Sequence, residues 1–243
     1  MASDELAIKL YQSIGAANKP RIYSEFHASN IAECPRAHFY KRLGLEPLKR
    51  ASGALVLRWQ TGHKIEEVIR PYLLKIYPNL QSNERLTSEK MNLTGEYDNM
   101  NPDTKELIEI KSVHPQAVKY KKVGDTRNHL RDEKQYLHHE WQQHAYVLLL
   151  KEQGIEIERI TYLYISLSGL LVPYTTEVNP EILRNVKDRI DYLNTCYTAK
   201  QLPRCTCNEN DVFWKMTGQY CDYQQEGKDC CDPRLVNKLK EKE

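Results

Sequence analysis

The pattern that decides the fold lies in residues 93–111, which read LTGEYDNMNPDTKELIEIK. Alternating apolar residues on either side of a turn at residues 101–103 predict two antiparallel strands joined as a β-hairpin. In the second strand Glu109 and Lys111 are two residues apart, so alternation places both side chains on the same face. Asp98 ends the first strand and can therefore lie close to Glu109 across the hairpin.

Two carboxylates and an ammonium group at one sheet edge are costly to bring together unless another charge compensates them. A divalent cation with oxygen ligands provides this compensation, and Mg²⁺ or Mn²⁺ can also activate water and stabilise charge on a phosphate. Asp98, Glu109 and Lys111 are therefore a candidate hydrolytic site in which the lysine orients the nucleophile. The same spacing also arises by chance in a solvated hairpin with an ordinary cross-strand ion pair, so the pattern alone is weak.

The composition of the 243 residues, with 40% hydrophobic and 28% charged residues, is typical of a globular protein that forms one domain. Residues 146–150 form the longest apolar run, far below the about 20 residues that cross a bilayer. The acidic N-terminus lacks the pattern of a signal peptide. We therefore expect no membrane partner and a cytoplasmic location, in the host cytoplasm if the chain is phage-encoded. The formal net charge of +2 does not argue for or against nucleic acid.

Helical spacing of apolar residues predicts five helices, over residues 1–20, 31–43, 55–77, 133–151 and 180–197. Pro71 is expected to kink or end the third of them. Alternation predicts further strands at 155–167 and 172–178, and the lysine-rich stretch 119–132 predicts a mobile loop. The fold class is thus α/β, a small mixed sheet flanked by helices.

The hairpin segments GEYD (95–98) and LIEIKS (107–112) resemble the core of the PD-(D/E)XK nuclease superfamily, and are most similar to its RecB-like branch of CRISPR-associated and phage exonucleases. Further segments follow in the order of that family, namely CPR (34–36), GHKIEE (62–67), QQHAY (142–146) and the tail cysteines. The resemblance implies a restriction-endonuclease-like core within a single nuclease domain spanning 1–243. It also implies a core of about 55–200, with an iron–sulfur subdomain formed by about 21–50 and 201–235.

The resemblance also implies which groups hold Mg²⁺ or Mn²⁺: Glu66, Asp98, Glu109 and the backbone carbonyl of Ile110. Relatives with an iron–sulfur cluster usually place a histidine where Glu66 aligns. His63, one turn earlier, is the alternative ligand, but a carboxylate suits hard Mg²⁺ better than an imidazole does.

Gln142 and Tyr146 complete the catalytic set that the resemblance implies, together with Asp98, Glu109 and Lys111. They are four residues apart and so share one helix face, which in the family borders the active site. Without the resemblance, a packed tyrosine beside a surface glutamine is an equal interpretation. A zinc site formed by His138, His139 and His144 on the same helix is a further alternative, although surface or supporting positions are the prediction.

Five of the seven cysteines lie in the last 39 residues, which in a chain without an export signal favours a metal over disulfides. The resemblance implies a structural 4Fe-4S cluster that joins the chain ends. Its predicted ligands are Cys34, Cys207, Cys221 and Cys230, with Cys205 and Cys231 as alternatives. The usual CxxC is absent from the tail, which leaves the choice of ligands open. Zn²⁺ is the rival metal, since tetrahedral thiolate geometry suits both. Cys196, on a predicted helix, is expected to pack in the core.

Basic residues mixed with aromatic ones predict contacts to DNA, at Arg36, Tyr40 and Lys41 and at Lys119, Tyr120, Lys121 and Lys122. A solvated basic helix face is the alternative interpretation. The predicted function is a metal-dependent DNA exonuclease acting on single strands or ends, in recombination, replication, repair or CRISPR-type adaptation, with possible protein partners there. The alternatives are a nuclease-fold DNA-binding or recruitment subunit and a zinc-stabilised nucleic-acid-binding module.

Overall fold

The computed structural model describes residues 2–18, 24–47, 51–113, 134–205 and 223. In these ranges the helices are α1 (Ala2–Ala17), α2 (Pro35–Arg42), α3 (Gly53–Ile76), α4 (Lys134–Glu152) and α5 (Pro180–Thr198), with a 3-10 turn at Ala28–Asn30. The strands are β1 (Phe26–His27), β2 (Gln81–Ser82), β3 (Arg85–Ser88), β4 (Leu93–Glu96), β5 (Asn99–Asn101), β6 (Glu106–Val113), β7 (Arg159–Ser166) and β8 (Leu171–Glu177). No helix of the described residues offers an apolar stretch of the length a bilayer crossing needs.

The central sheet has five strands in the order β2-β5-β6-β7-β8. Strands β6 and β7 are parallel, and α4 lies between them in the chain. Such a connection is required because parallel strands cannot be joined by a tight turn. The other neighbours in this sheet are antiparallel. A second sheet has the order β1-β4-β3. The predicted class, α/β with a small mixed sheet and flanking helices, is confirmed.

The predicted strand over residues 93–98 is divided between the two sheets. Strand β4 ends at Glu96 and β5 begins at Asn99, and across from this break Asn83 has a positive φ of 54°. The amide of Asn83 still donates to the carbonyl oxygen of Asp98 at 3.1 Å. The chain therefore bends at Asp98, which leaves its side chain at the junction of the sheets.

The five-stranded sheet packs against helices on both faces, and alternate residues of β6 point to opposite faces. Ile108 and Ile110 belong to a small apolar cluster with Leu73 of α3. Leu107 belongs to the larger cluster, which contains most of the buried apolar residues of α4 and α5. Glu109 is two residues from Leu107 and therefore lies on the same face of β6, towards α4.

Two helix boundaries differ from the prediction. Helix α2 begins at Pro35, because the preceding residues form the 3-10 turn and proline is favoured at the first helical position. Helix α3 continues through Pro71 to Ile76, so of the two expected effects of this proline, a kink or an end of the helix, the end does not occur. The next turn is anchored by the packing of Leu73 in the small cluster.

Candidate active site

Asp98 lies at the break between the two sheets and contacts β6 through its side chain. Its Oδ2 accepts a hydrogen bond from the amide of Ile110 at 2.8 Å. Backbone pairing between β5 and β6 ends at the pair Asn99 and Ile108. Beyond that pair, the Asp98 carboxylate accepts the hydrogen bond that a backbone carbonyl would otherwise accept from Ile110. The bend at Asp98 thus brings its carboxylate to the strand that carries Glu109.

Glu109 is only 1% exposed, and both of its carboxylate oxygens have partners. Oε1 forms an ion pair with the ammonium group of Lys111, and Oε2 accepts from Nε2 of Gln143 at 2.6 Å. Lys111 Nζ also donates to Oε1 of Gln142 at 3.4 Å, and Nε2 of Gln142 donates to the hydroxyl of Tyr146 at 3.0 Å. Helix α4 therefore holds the acid and the lysine through neighbouring glutamines.

Glu66 reaches the same region from α3. A Cβ on Gly62 would lie 3.2 Å from Ser112 Oγ, so the absence of a side chain lets α3 approach the end of β6. Glu66 follows one turn later, and its side chain is 21% exposed against 66% for His63. Nδ1 of His63 lies 3.4 Å from Oε2 of Glu66. The structure places the carboxylate inward and the imidazole outward.

The carboxylates interact electrostatically across this space. Burial raises the pKa of Asp98 well above its usual range, and repulsion from Glu109 raises it further, while Lys111 opposes both effects. Burial also raises the pKa of Glu66. His63 opposes this shift, and repulsion from Glu109 adds a smaller increase. Burial by itself would lower the pKa of Lys111, but Glu109 and Asp98 outweigh it and raise that pKa. Three acids thus share a buried region with one ammonium.

The donor types fit a hard divalent cation, which prefers carboxylate and carbonyl oxygens. Within the described residues, however, no group of three or more His, Cys, Asp or Glu side chains has the arrangement of a ready metal site. Lys111 engages one oxygen of Glu109, and the Ile110 amide engages one oxygen of Asp98. The region therefore has the right ligand chemistry and an excess of negative charge, with its acids partly neutralised by the chain itself.

The fold is similar to that of an exonuclease of known structure. The alkaline exonuclease LHK-Exo from Laribacter hongkongensis is 11% identical, with a TM-score of 0.51 over 79% of this chain and 93% of that one. Its complex with dAMP is 12% identical, with a TM-score of 0.50 and the same coverage. The fold is alkaline-exonuclease-like.

Other comparisons add less. A phage-related exonuclease from Haemophilus somnus 129PT is 15% identical over 58% of this chain and 70% of that one, at a TM-score of 0.43. No protein-family model matches the sequence, and no curated protein matches it significantly. The likeness to LHK-Exo concerns the fold, and the PD-(D/E)XK superfamily and its RecB-like branch stay predictions.

Two residues of this exonuclease-like core were not singled out by sequence reasoning. A Cβ on Gly95 would lie 2.6 Å from Cε1 of Tyr146 and 2.8 Å from Cβ of Ala28, so only glycine lets the buried ring pass over β4. Gln143 holds Glu109 directly. Gly95 was part of the quoted hairpin motif and Gln143 of the helical one, but their contacts join distant segments that no local spacing connects.

His138 and His139 lie near Lys111 rather than in a zinc site. Burial lowers the pKa of His138 to about 4, and the charge of Lys111 adds to this effect. Burial likewise lowers the pKa of His139, whose Nδ1 lies 3.5 Å from the hydroxyl of Tyr164. Both imidazoles are therefore neutral at pH 7.

His144 joins two helices of the core instead. Its Nδ1 lies 2.7 Å from the carbonyl oxygen of Glu140, and Asn179, the N-cap residue of α5, donates its amide to Nε2 at 2.9 Å. Nδ1 therefore carries the proton in the neutral ring. Burial lowers the pKa of His144 to about 4, against the smaller opposing effect of the hydrogen bond to the Glu140 carbonyl.

This arrangement predicts that acid weakens the fold through protonation of His144 in the unfolded chain. The unfolded chain protonates His144 below about pH 6.5, whereas the folded chain resists until about pH 4. The free energy of unfolding should therefore fall as pH decreases through this window, by up to about 1.4 kcal/mol per pH unit for one such histidine. Urea unfolding between pH 4.5 and 7.5 measures the slope. His144→Gln should make the slope less steep, since the other buried histidines, His138 and His139 among them, keep their own contributions. Exposed His63→Gln should leave the slope unchanged, and equal slopes for both variants would contradict the assignment.

The predicted DNA contacts on α2 are corrected in part by the structure. Tyr40 is fully buried and packs at a tilt against Tyr223, with 5.2 Å between ring centroids, so its ring cannot receive a base, and that prediction is wrong. Nε of Arg36 donates to the carbonyl oxygen of Pro203 at 2.8 Å, and Lys41 forms an ion pair with Glu33. Both cations thus have partners within the protein. Lys119, Tyr120, Lys121 and Lys122 lie outside the described residues.

The cysteines predicted to bind iron and sulfur are only partly within the described residues. Cys34 is the N-cap residue of α2 and is buried, and Cys205 packs against the main core. Cys207, Cys221, Cys230 and Cys231 lie outside the described residues. The bond from Arg36 to Pro203 brings residues 203–205 to α2, where Cys34 lies. Cys196 is buried in the core, as predicted.

Proposed function

We propose that this chain is a metal-dependent DNA exonuclease that hydrolyses phosphodiester bonds in single-stranded DNA or at DNA ends. The observation that carries the proposal is the buried Glu109–Lys111 pair beside Asp98, on the central strand β6 rather than at the sheet edge that the sequence predicted. A buried ion pair is weak support for stability, because desolvation offsets most of the attraction. The nearby carboxylate of Glu66 adds to the free-energy cost of this cluster of charges. A catalytic role, rather than a gain in stability, therefore explains the cluster.

Glu66, Asp98, Glu109 and the carbonyl of Ile110 are the groups that we propose to hold Mg²⁺ or Mn²⁺, with His63 as the alternative to Glu66. When bound, such an ion supplies a Lewis acid that activates water and stabilises charge on the phosphate. Glu66 is the better ligand in this geometry, because His63 is exposed while Glu66 interacts with Glu109.

Lys111 stays protonated at neutral pH, because the surrounding carboxylates raise its pKa. An ammonium that is 78% buried keeps a defined position and can donate to the attacking water or to a phosphate oxygen. Gln142 contacts it, and Tyr146 in turn orients Gln142. We propose that this series of hydrogen bonds sets the direction of the lysine, with Gln142 and Tyr146 as positioning residues.

DNA as the substrate is supported by the alkaline-exonuclease-like fold and by the complex that LHK-Exo forms with dAMP. A role in recombination, replication, repair or CRISPR-type adaptation, with protein partners from those processes and a cytoplasmic location, stays a prediction. So do the DNA contacts of Lys119, Tyr120, Lys121 and Lys122.

We also propose that Cys34 binds a 4Fe-4S cluster together with Cys207, Cys221 and Cys230, Cys205 and Cys231 being alternative ligands. The contacts from Pro203 to Arg36 and from the Tyr223 hydroxyl to the Leu45 carbonyl support it, since both bring the tail to the region of Cys34. Zn²⁺ is the alternative metal. The visible spectrum and the iron and zinc content of the purified protein separate the two.

A binding or recruitment subunit is the second candidate, and one observation favours it. Lys111 and the Ile110 amide each engage one oxygen of Glu109 and Asp98, so groups of the chain compensate part of the charge of these acids. An assay on end-labelled single- and double-stranded DNA with Mg²⁺, Mn²⁺ or EDTA decides between the candidates. Cleavage that requires the ion is expected, and nucleotide release from one end identifies an exonuclease. Tight binding without cleavage under any condition would favour the second candidate.

A further inference from the structure

The flank of α3 beside the acidic region carries two exposed rings. Trp59 is 49% exposed, and the side chain of His63 is 66% exposed. They are four residues apart, so they share one face of the helix. Other residues of α3, among them Ile65 and Ile69, pack against the small apolar cluster on a different side of the helix. Packing of the described residues therefore leaves the Trp59 ring largely in solvent.

This flank continues directly into the candidate active site. His63 contacts the Glu66 carboxylate, which interacts with Glu109. One turn further, Nη2 of Arg70 donates to Oδ1 of Asn83 at 2.8 Å, and the Asn83 amide donates to the carbonyl of Asp98. Trp59, His63 and Arg70 therefore lie on the face of α3 that carries Glu66.

We propose that Trp59 and His63 form a base-stacking platform for the unpaired strand of a nucleic acid substrate, which rests on the proposed nuclease function. Trp59 precedes Glu66 by seven residues, about 10 Å along a helix that rises about 1.5 Å per residue. Stacked nucleotides are spaced by about 3.4 Å along a strand. The platform therefore receives a base about three nucleotides from the phosphate at the acids.

An unpaired strand fits this place better than a protein partner does. Every base has a flat face, so an exposed indole binds a strand without regard to its sequence, as a general exonuclease requires. A protein seated on Trp59 would also cover His63 and the entrance to Glu66. Arg70 adds a positive charge on the same flank, which suits a phosphate backbone.

The test measures binding of a fluorescent single-stranded oligonucleotide to the full chain in EDTA, where metal-dependent cleavage is absent. Trp59→Ala should weaken binding about tenfold or more, and Trp59→Phe should restore most of it. Tyr72→Ala is the matched control, because Tyr72 is 59% exposed on the same helix but thirteen residues on, near the opposite face. It should leave binding unchanged.

A scan of abasic sites through the oligonucleotide locates the base. One position should weaken binding to the wild type and have little further effect on Trp59→Ala, because both changes remove the same stacking contact. Unchanged binding by Trp59→Ala, or losses that simply add at every position, would overturn the platform while DNA cleavage by the wild type keeps the proposed function. Absence of both binding and cleavage in the wild type would overturn the proposed function, and the platform with it.

Discussion

Asp98→Asn should abolish DNA cleavage without weakening the metal-free fold. The amide oxygen of the new side chain can still accept the hydrogen bond from Ile110. It no longer carries the charge that Glu109 and Glu66 repel, which together with burial raises the pKa of Asp98. We therefore expect thermal stability in EDTA equal to or above that of the wild type. Activity should fall at least about hundredfold, the scale of losing one group that stabilises a transition state.

Two measurements separate the catalytic effect from a structural one. Mg²⁺ or Mn²⁺ should raise the melting temperature of the wild type, because a ligand that binds only the folded state stabilises it, and should raise that of Asp98→Asn less. Asp103→Asn is the control, since Asp103 is an exposed acid of the same hairpin that contacts Asn79. It should keep full activity and the full response to the ion. An active Asp98→Asn protein would contradict the proposed site.

Lys111→Ala should lose both activity and stability. It leaves Glu109, 1% exposed, without its ammonium partner. Removing one member of a buried ion pair costs about 3–5 kcal/mol, because the remaining charge stays desolvated and uncompensated. Cleavage should fall at least about hundredfold, since no other described cation contacts Glu109. Urea unfolding and the end-labelled DNA assay measure the two losses.

A second substitution distinguishes an uncompensated charge from a general loss of packing. Lys111→Ala combined with Glu109→Gln should recover most of the stability, because a neutral amide can still accept from Gln143, and none of the activity. Lys105→Ala is the matched control, since Lys105 pairs with Glu156 and Glu158 at the surface and should matter far less to stability. A double variant as unstable as Lys111→Ala would show that the ion pair is not the cause.

The candidate site was predictable where it depends on neighbours in the chain. Glu109 and Lys111 share a face because they are two residues apart in a strand, and Gln142 and Tyr146 share one because they are four apart in a helix. The boundaries of β6, α4 and α5 follow local periodicity and lie within a few residues of the prediction. Prediction was weaker where the signal is short. Strands β2 and β3 are two and four residues long and carry mostly polar side chains, so they were missed.

By itself, then, the sequence determined the class of the fold and which acids and lysine lie on one hairpin, because strand and helix periods are local properties of the backbone. Only the tertiary structure decided the rest. The bend at Asp98, the burial of Tyr40 and the bond from Gln143 to Glu109 depend on segments far apart in the chain. The exposure of a ring and the pairing of an acid depend on which distant segments pack against them, and the local spacing of residues does not predict that packing.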